Sequence, residues 1–170
     1  MLAMSDTSRA ETPPTMVLKW GIVGTADGQF NQPHCVAADA SGNIYVADTE
    51  NHRIQKFDST GIFMAAWGSV GTGNGQFTRP YGVAIDTAGN IYVADTDNHR
   101  IQKLSSTGTY ITNWGSYGSA DGQFSSPSGI ATDASDNVYV LDTYNHRIQK
   151  FTSAGAFSAN GEGSEPAMLR

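Results

Sequence analysis

The chain has 170 residues, 15% of them charged, with 19 glycines and a formal net charge of −6. That length suits one ordinary domain with a real core, and aliphatic and aromatic residues recurring at fixed places exclude a disordered chain. The acidic balance argues against nucleic-acid binding, which needs a cationic footprint to neutralise phosphates.

Residues 1–14, MLAMSDTSRAETPP, carry neither the basic start nor the apolar stretch of a signal peptide, and are expected to be disordered. Nothing in the chain reads as a membrane span. A cytosolic location fits, as does a segment of a longer exported protein. Cys35 is the sole cysteine, so no intramolecular disulfide can form. Residues 15–20, TMVLKW, resemble a strand that stands before any partner for it.

From residue 21 the sequence repeats. DTENHRIQKF at 48–57 returns as DTDNHRIQKL at 95–104 and DTYNHRIQKF at 142–151, a step of 47 residues. Trp20, Trp67 and Trp114 keep that step, as do the GQF triplets ending at Phe30, Phe77 and Phe124. The units are 21–67, 68–114 and 115–161, leaving 162–170 as a loose tail. Within the middle unit, Gly-rich 68–80 is a loop ending in Pro80. Strands are predicted at 81–86, 91–95, 99–104 and 109–114, separated by turns at 87–90, 96–98 and 105–108. Residues 156–161, AFSANG, form a weakened last strand in which Gly161 replaces the tryptophan.

Four short strands joined by tight turns make an antiparallel meander. Ile91 and Val93 point one way and Tyr92 and Ala94 the other, so each sheet is apolar on both faces and must lie between two others. Radial stacking of sheets as propeller blades achieves this, with Phe77 and Trp114 as wedges between blades. The units resemble NHL repeats. The resemblance rests on Asn51-His52-Arg53, Asn98-His99-Arg100 and Asn145-His146-Arg147, and on the Pro80-x-Gly82-Val83-Ala84 and Gly89-Asn90-x-Tyr92-Val93-Ala94-Asp95 strands. It implies an all-β propeller of three four-stranded blades per chain; such propellers usually have six.

The constant residues read as structural. His52, His99 and His146 should sit about 10 Å out from the innermost strands, two strand spacings away, too far to converge on one ion. Each is expected to pack within its own blade. Asp48, Asp95 and Asp142 should accept N–H groups of the turns that follow them and pair with Arg53, Arg100 and Arg147. Cys35, standing where other units have Gly82 and Gly129, is expected to be a buried structural thiol.

Function is sought where the units differ. The first-strand entrances carry His34, Tyr81 and Ser128, the second-turn tips carry Glu50, Asp97 and Tyr144, and the connecting loops carry Gln32, Arg79 and Ser126. These should share one face, and loops on a rigid scaffold commonly bind. The favoured reading is a binding or scaffold module for a protein or small molecule, with no cofactor, metal, nucleic acid or membrane. The alternative is a metal-dependent or small-molecule enzyme, lyase-like, in the central channel. Three blades sweep about half a ring, so a homodimer closing six blades is expected, with a nine-bladed trimer as second choice. Residues 15–20 would then complete the partner's last blade. No retarded band is expected when RNA or DNA is mixed with sub-micromolar protein at physiological salt; a salt-sensitive gel shift would contradict the charge argument.

Overall fold

The computed structural model describes residues 16–157. One sheet comprises β1 (Pro33–Ala38), β2 (Ile44–Asp48), β3 (Arg53–Phe57) and β4 (Phe63–Trp67). The next comprises β5 (Pro80–Ile85), β6 (Ile91–Asp95), β7 (Arg100–Leu104) and β8 (Tyr110–Trp114). The last comprises β9 (Pro127–Thr132), β10 (Val138–Asp142) and β11 (Arg147–Phe151). All are antiparallel meanders in chain order, as the strand–turn periodicity predicts. Among the described residues the last sheet has three strands, with a bridge between Phe151 and Phe157 beyond them. Residues 1–14 and 162–170, and most of the weakened strand at 156–161, lie outside the described residues.

The expected third strand begins one residue late. Thr96–Asn98 forms a turn of 3-10 helix, and His99 closes it in the left-handed region at φ +53 before β7 starts at Arg100. His52 and His146 do the same, both at φ +54.

The middle sheet is buried on both faces. Ile91, Tyr92, Val93 and Ala94 are all fully covered. On one side, Val83, Ile91, Val93 and Leu104 meet Tyr45, Ala47 and Ile54 of the first sheet. On the other, Tyr92, Ala94 and Ile101 meet Val138, Val140 and Phe151 of the third. Phe77 and Phe124, brought in by the Gly-rich loops, close the two cores. The innermost strand β5 adjoins β1 on one side and β9 on the other. At Gly82 the approach is so close that a Cβ would overlap the Ser128 carbonyl oxygen. Cys35 occupies the corresponding place in the first unit. It is half-buried rather than buried, with its Sγ 3.6 Å from the Val83 carbonyl oxygen.

Each tryptophan reaches into the following unit. Trp20, Trp67 and Trp114 lie on Gly61, Gly108 and Gly155, which turn at φ between +82 and +83 and leave no room for a side chain under the indole. Trp67 and Trp114 are half-buried at the blade junctions. Residues 16–20 form no strand ladder in the single chain. Even so, Trp20 takes the wedge position of a preceding blade, with its ring 6.0 Å from that of Phe57. Trp67→Ala should cost about 3 kcal/mol, the low end for removing an indole because this one is half-buried. Urea unfolding would show it as a lower midpoint, and an unchanged midpoint would contradict the wedge assignment.

Candidate functional site at the channel mouth

One buried carboxylate per unit organises the face on which the connecting loops lie. Asp95 is fully covered. Its Oδ1 accepts the Thr78 N–H at 2.7 Å, and its Oδ2 accepts Arg100 Nε at 2.7 Å and Gln102 Nε2 at 3.0 Å, with Asn98 Nδ2 also at 3.0 Å. Asp48 binds Asn31, Asn51, Arg53 and Gln55 in the same way, and Asp142 binds Ser125, Asn145, Arg147 and Gln149. The arginine pairing follows the sequence expectation. The N–H group accepted does not: it belongs to the incoming loop 17 residues earlier, not to the aspartate's own turn. The same side chains pin the rest of that loop. Asn98 donates to the Gly71 carbonyl, while Arg100 and Gln102 both donate to that of Gln76.

The histidines join neighbouring blades rather than packing within their own. His52 Nδ1 accepts the backbone N–H of Arg79, and His99 Nδ1 accepts that of Ser126, both at 3.1 Å. Arg79 and Ser126 are themselves left-handed, at φ +50 and +52, a conformation that a non-glycine residue adopts only when its surroundings hold it. The threonine after each clamp aspartate adds a second link that sequence reasoning passed over. Thr49 Oγ1 donates to the Pro80 carbonyl and Thr96 Oγ1 to that of Pro127, both at 2.7 Å. Its signal was the invariant Asp-Thr pair in all three units.

These links set the variable residues together at one mouth of the channel. The rings of His34 and Tyr81 meet at 4.2 Å between centroids, tilted by 36°. Arg79 is the hub. Its Nη2 donates to Tyr81 Oη at 2.8 Å, its Nε to Glu50 Oε1 at 2.8 Å, and its Nη1 lies 3.7 Å from Asp97 Oδ2. The Glu50 hydrogen bond holds the guanidinium still more firmly protonated. A cleft of about 150 Å³ between the second and third blades is lined by Arg79, Tyr81, Asp97, Ser126, Ser128 and Tyr144. Ser128 Oγ lies 2.7 Å from Thr143 Oγ1, and Tyr144 stands free to solvent. The mouth therefore offers aromatic faces, hydroxyl groups and one cation held between two carboxylates. Among the described residues, no three His, Cys, Asp or Glu side chains are grouped to hold a metal ion.

The opposite mouth is structural. Asp39, Asp86 and Asp133 each cap the turn between the first two strands. Asp133 accepts the N–H groups of Ser135 and Asn137, the Asn137 side-chain amide at 2.8 Å and the Tyr139 hydroxyl at 3.1 Å.

Residues 30–57, 77–104 and 124–151 each match the model of the NHL repeat. The chain belongs to the NHL-repeat family. It is 53% identical over 45 residues to the B-box type zinc finger protein ncl-1 of Caenorhabditis elegans, a match covering 26% of this chain and 5% of that protein. It is 48% identical over 44 residues to human NHL repeat-containing protein 3, covering 25% of this chain and 13% of the relative. The likeness thus spans only a small part of those relatives. Among solved structures, virginiamycin B lyase from Staphylococcus aureus superposes at a TM-score of 0.59 and 16% identity, covering 74% of this chain and 40% of that one. An auxiliary nutrient binding protein from Bacteroides thetaiotaomicron gives 0.58 at 18% identity, covering 76% and 39%. Likenesses this distant speak to the propeller fold alone. No helix among the described residues is long and apolar enough to cross a membrane.

The carboxylates give the repeat an acid limit. Hydrogen bonds from Asn137 lead in lowering Asp133 to about 2. Burial alone would raise Asp142, but the Ser125 N–H, Asn145 and Arg147 outweigh it and its value is lowered; Asp39 and Asp86 are lowered too. Groups with depressed values stabilise the fold above their unfolded value of 3.8 and lose that contribution as pH falls through the folded one. Stability should stay level from neutrality to about pH 5 and fall steeply between about 4 and 2. Urea titrations across that range check it; a midpoint already falling near pH 6 would implicate other groups.

Proposed function

We propose that this chain is a binding module that presents the channel-mouth loops to a protein or small-molecule ligand, and that two copies close one six-bladed ring. The observation that carries the binding reading is the gathering of unlike residues. Three units that repeat almost everywhere differ at His34, Tyr81, Ser128, Glu50, Asp97, Tyr144 and Arg79; Arg79 links Tyr81, Glu50 and Asp97, Tyr81 meets His34, and Ser128 and Tyr144 line the cleft beside them. Constant residues build the blade, whereas the variable ones are free to recognise something.

The ends of the arc support the assembly. Val83, covered by the preceding blade, is 2% exposed, while its counterpart Val36 in the first blade is 66% exposed. Ile54 and Ile101 are fully covered, while Ile148 is 69% exposed and Leu141 joins it at the surface. Soluble proteins seldom leave such contiguous apolar faces bare. A hollow of about 430 Å³ on the first blade, lined by Trp20, Phe30, His34, Cys35, Val36 and Val46, supports this, since a neighbouring blade would fill it. The missing partners are complementary. His146 is exposed without a following blade to bond, and Thr143 turns to Ser128 where Thr49 and Thr96 reach a proline carbonyl of the next unit. A two-fold axis relating two head-to-tail arcs satisfies both ends at once. Residues 16–20 then serve as the outer strand of the partner's third blade.

The enzyme alternative, a metal-dependent or small-molecule reaction in the channel, gains no donor cluster among the described residues. Metal analysis of purified protein separates the readings, with a stoichiometric transition metal favouring the enzyme. For assembly, light scattering of the 170-residue chain should give about 36 kDa, twice 18.1 kDa; a mass of 18.1 kDa would remove the ring. For binding, an Arg79→Ala/Tyr144→Ala double variant should fold with an unchanged melting temperature and lose ligands that the immobilised wild type retains. Equal retention by both would place recognition elsewhere.

A further inference from the structure

At the channel mouth, the junction between the first two blades and that between the second and third share a backbone but not their side chains. Arg79 occupies the first. Its guanidinium donates to Glu50 Oε1 and to Tyr81 Oη, both at 2.8 Å, and lies 3.7 Å from Asp97 Oδ2. The 47-residue step carries Arg79, Glu50, Tyr81 and Asp97 on to Ser126, Asp97, Ser128 and Tyr144. Arg79 and Ser126 are left-handed at φ +50 and +52, and each donates its N–H to the histidine of the blade before it at 3.1 Å. Serine at 126 thus keeps the backbone and leaves out the guanidinium, and the cleft of about 150 Å³ lies there. A cavity of about that size holds benzene, so a planar group of four heavy atoms fits. It is well below the roughly 300–1,000 Å³ of sites that enclose whole small molecules, and suits the end of a longer side chain.

We infer that the cleft between the second and third blades takes a guanidinium group, the side chain of an arginine on a partner peptide. This rests on the binding reading proposed above and names the chemistry bound. Charge selects the ligand. The signs alternate along Glu50, Arg79 and Asp97, and the row stops at a carboxylate, with one negative charge in excess. Asp97 is exposed, and Arg79 stands outside hydrogen-bonding distance of it, so its lone pairs are open to a further donor. A net charge of −6 attracts cations to the chain and repels anions. An incoming guanidinium, placed where Ser126 lacks one, meets the counterparts of all three partners of Arg79. It would donate to Asp97 and to Ser128 Oγ, whose bond to Thr143 leaves a lone pair free, and lie against the exposed ring of Tyr144. Both walls belong to one chain, so the site does not depend on ring closure.

The test uses the full-length protein and two acetylated, amidated peptides, Gly-Arg-Gly and the same peptide with citrulline, which keeps the shape and drops the charge. In an NMR titration the arginine peptide should bind at millimolar concentration and shift the amide signals of Asp97, Ser128 and Tyr144, while the citrulline peptide should bind at least about tenfold more weakly. Asp97→Asn should weaken the arginine peptide by about tenfold or more. Ser126→Arg rebuilds the arrangement of the first junction, and should keep its melting temperature while leaving the peptide no site. Equal binding of the two peptides, or undiminished binding to Asp97→Asn or to a folded Ser126→Arg, overturns the inference. So does an arginine peptide that does not bind at millimolar concentration. If the immobilised wild type then still retains ligands that Arg79→Ala/Tyr144→Ala loses, the binding reading stands without the guanidinium; if it does not, both fall.

Discussion

Everything at the loop-bearing mouth of this molecule depends on a buried aspartate that must be surrounded. Asp48, Asp95 and Asp142 are fully covered, and a carboxylate there is tolerable only with its lone pairs occupied. Each is met by an arginine, an asparagine and a glutamine from the next turn and strand, and by an N–H from the loop that precedes the blade. The requirement to compensate one charge thus draws a long glycine-rich loop down onto the blade. That is why a chain with so few long apolar strands can hold its connecting loops in fixed positions. Breaking such a buried pair typically costs about 3–5 kcal/mol, more than most single hydrophobic contacts in the structure could offset.

The clamps act within units; the histidines and threonines act between them. By accepting an N–H of the next loop, His52 and His99 tie the left-handed residues Arg79 and Ser126 to the preceding blade, and those residues sit at the mouth of the channel. Conserved scaffold and variable surface therefore meet at the same backbone position. The left-handed turn recurs at Gln32, Arg79 and Ser126 and so belongs to the loop itself, while the side chain it presents is free to be glutamine, arginine or serine. A mouth built this way can change its chemistry without disturbing the blade beneath it.

Under the proposed closure the two ends of the arc would complement each other. Side chains that the middle sheet buries on both faces are bare at the two ends, and the bare sets are those that would meet in a closed circle. Trp20 adds direction to this. Its contact with Gly61 is the same wedge-on-glycine contact that joins the internal blades.

The repeat step, the strand order and the alternation of the strands were legible in the sequence, because a period-two pattern between turn residues has one physical solution. The pairing of Asp95 with Arg100 was legible too, since five residues span one turn and both types recur in every unit. The histidines were misassigned for an identifiable reason. Spacing places His99 at a strand end, but only the left-handed backbone there turns the ring outward to the next blade. The clamp's N–H was missed because its donor, Thr78, is close in space and distant in sequence. The sequence by itself determined the blade, since local pairing and turn chemistry act within a few residues. Only the tertiary structure decided what meets across blades: the Arg79 hub, the contact of the His34 and Tyr81 rings, and the half-buried Cys35. Those contacts depend on how far and at what angle one sheet lies from the next, a quantity that no periodicity within a single unit encodes.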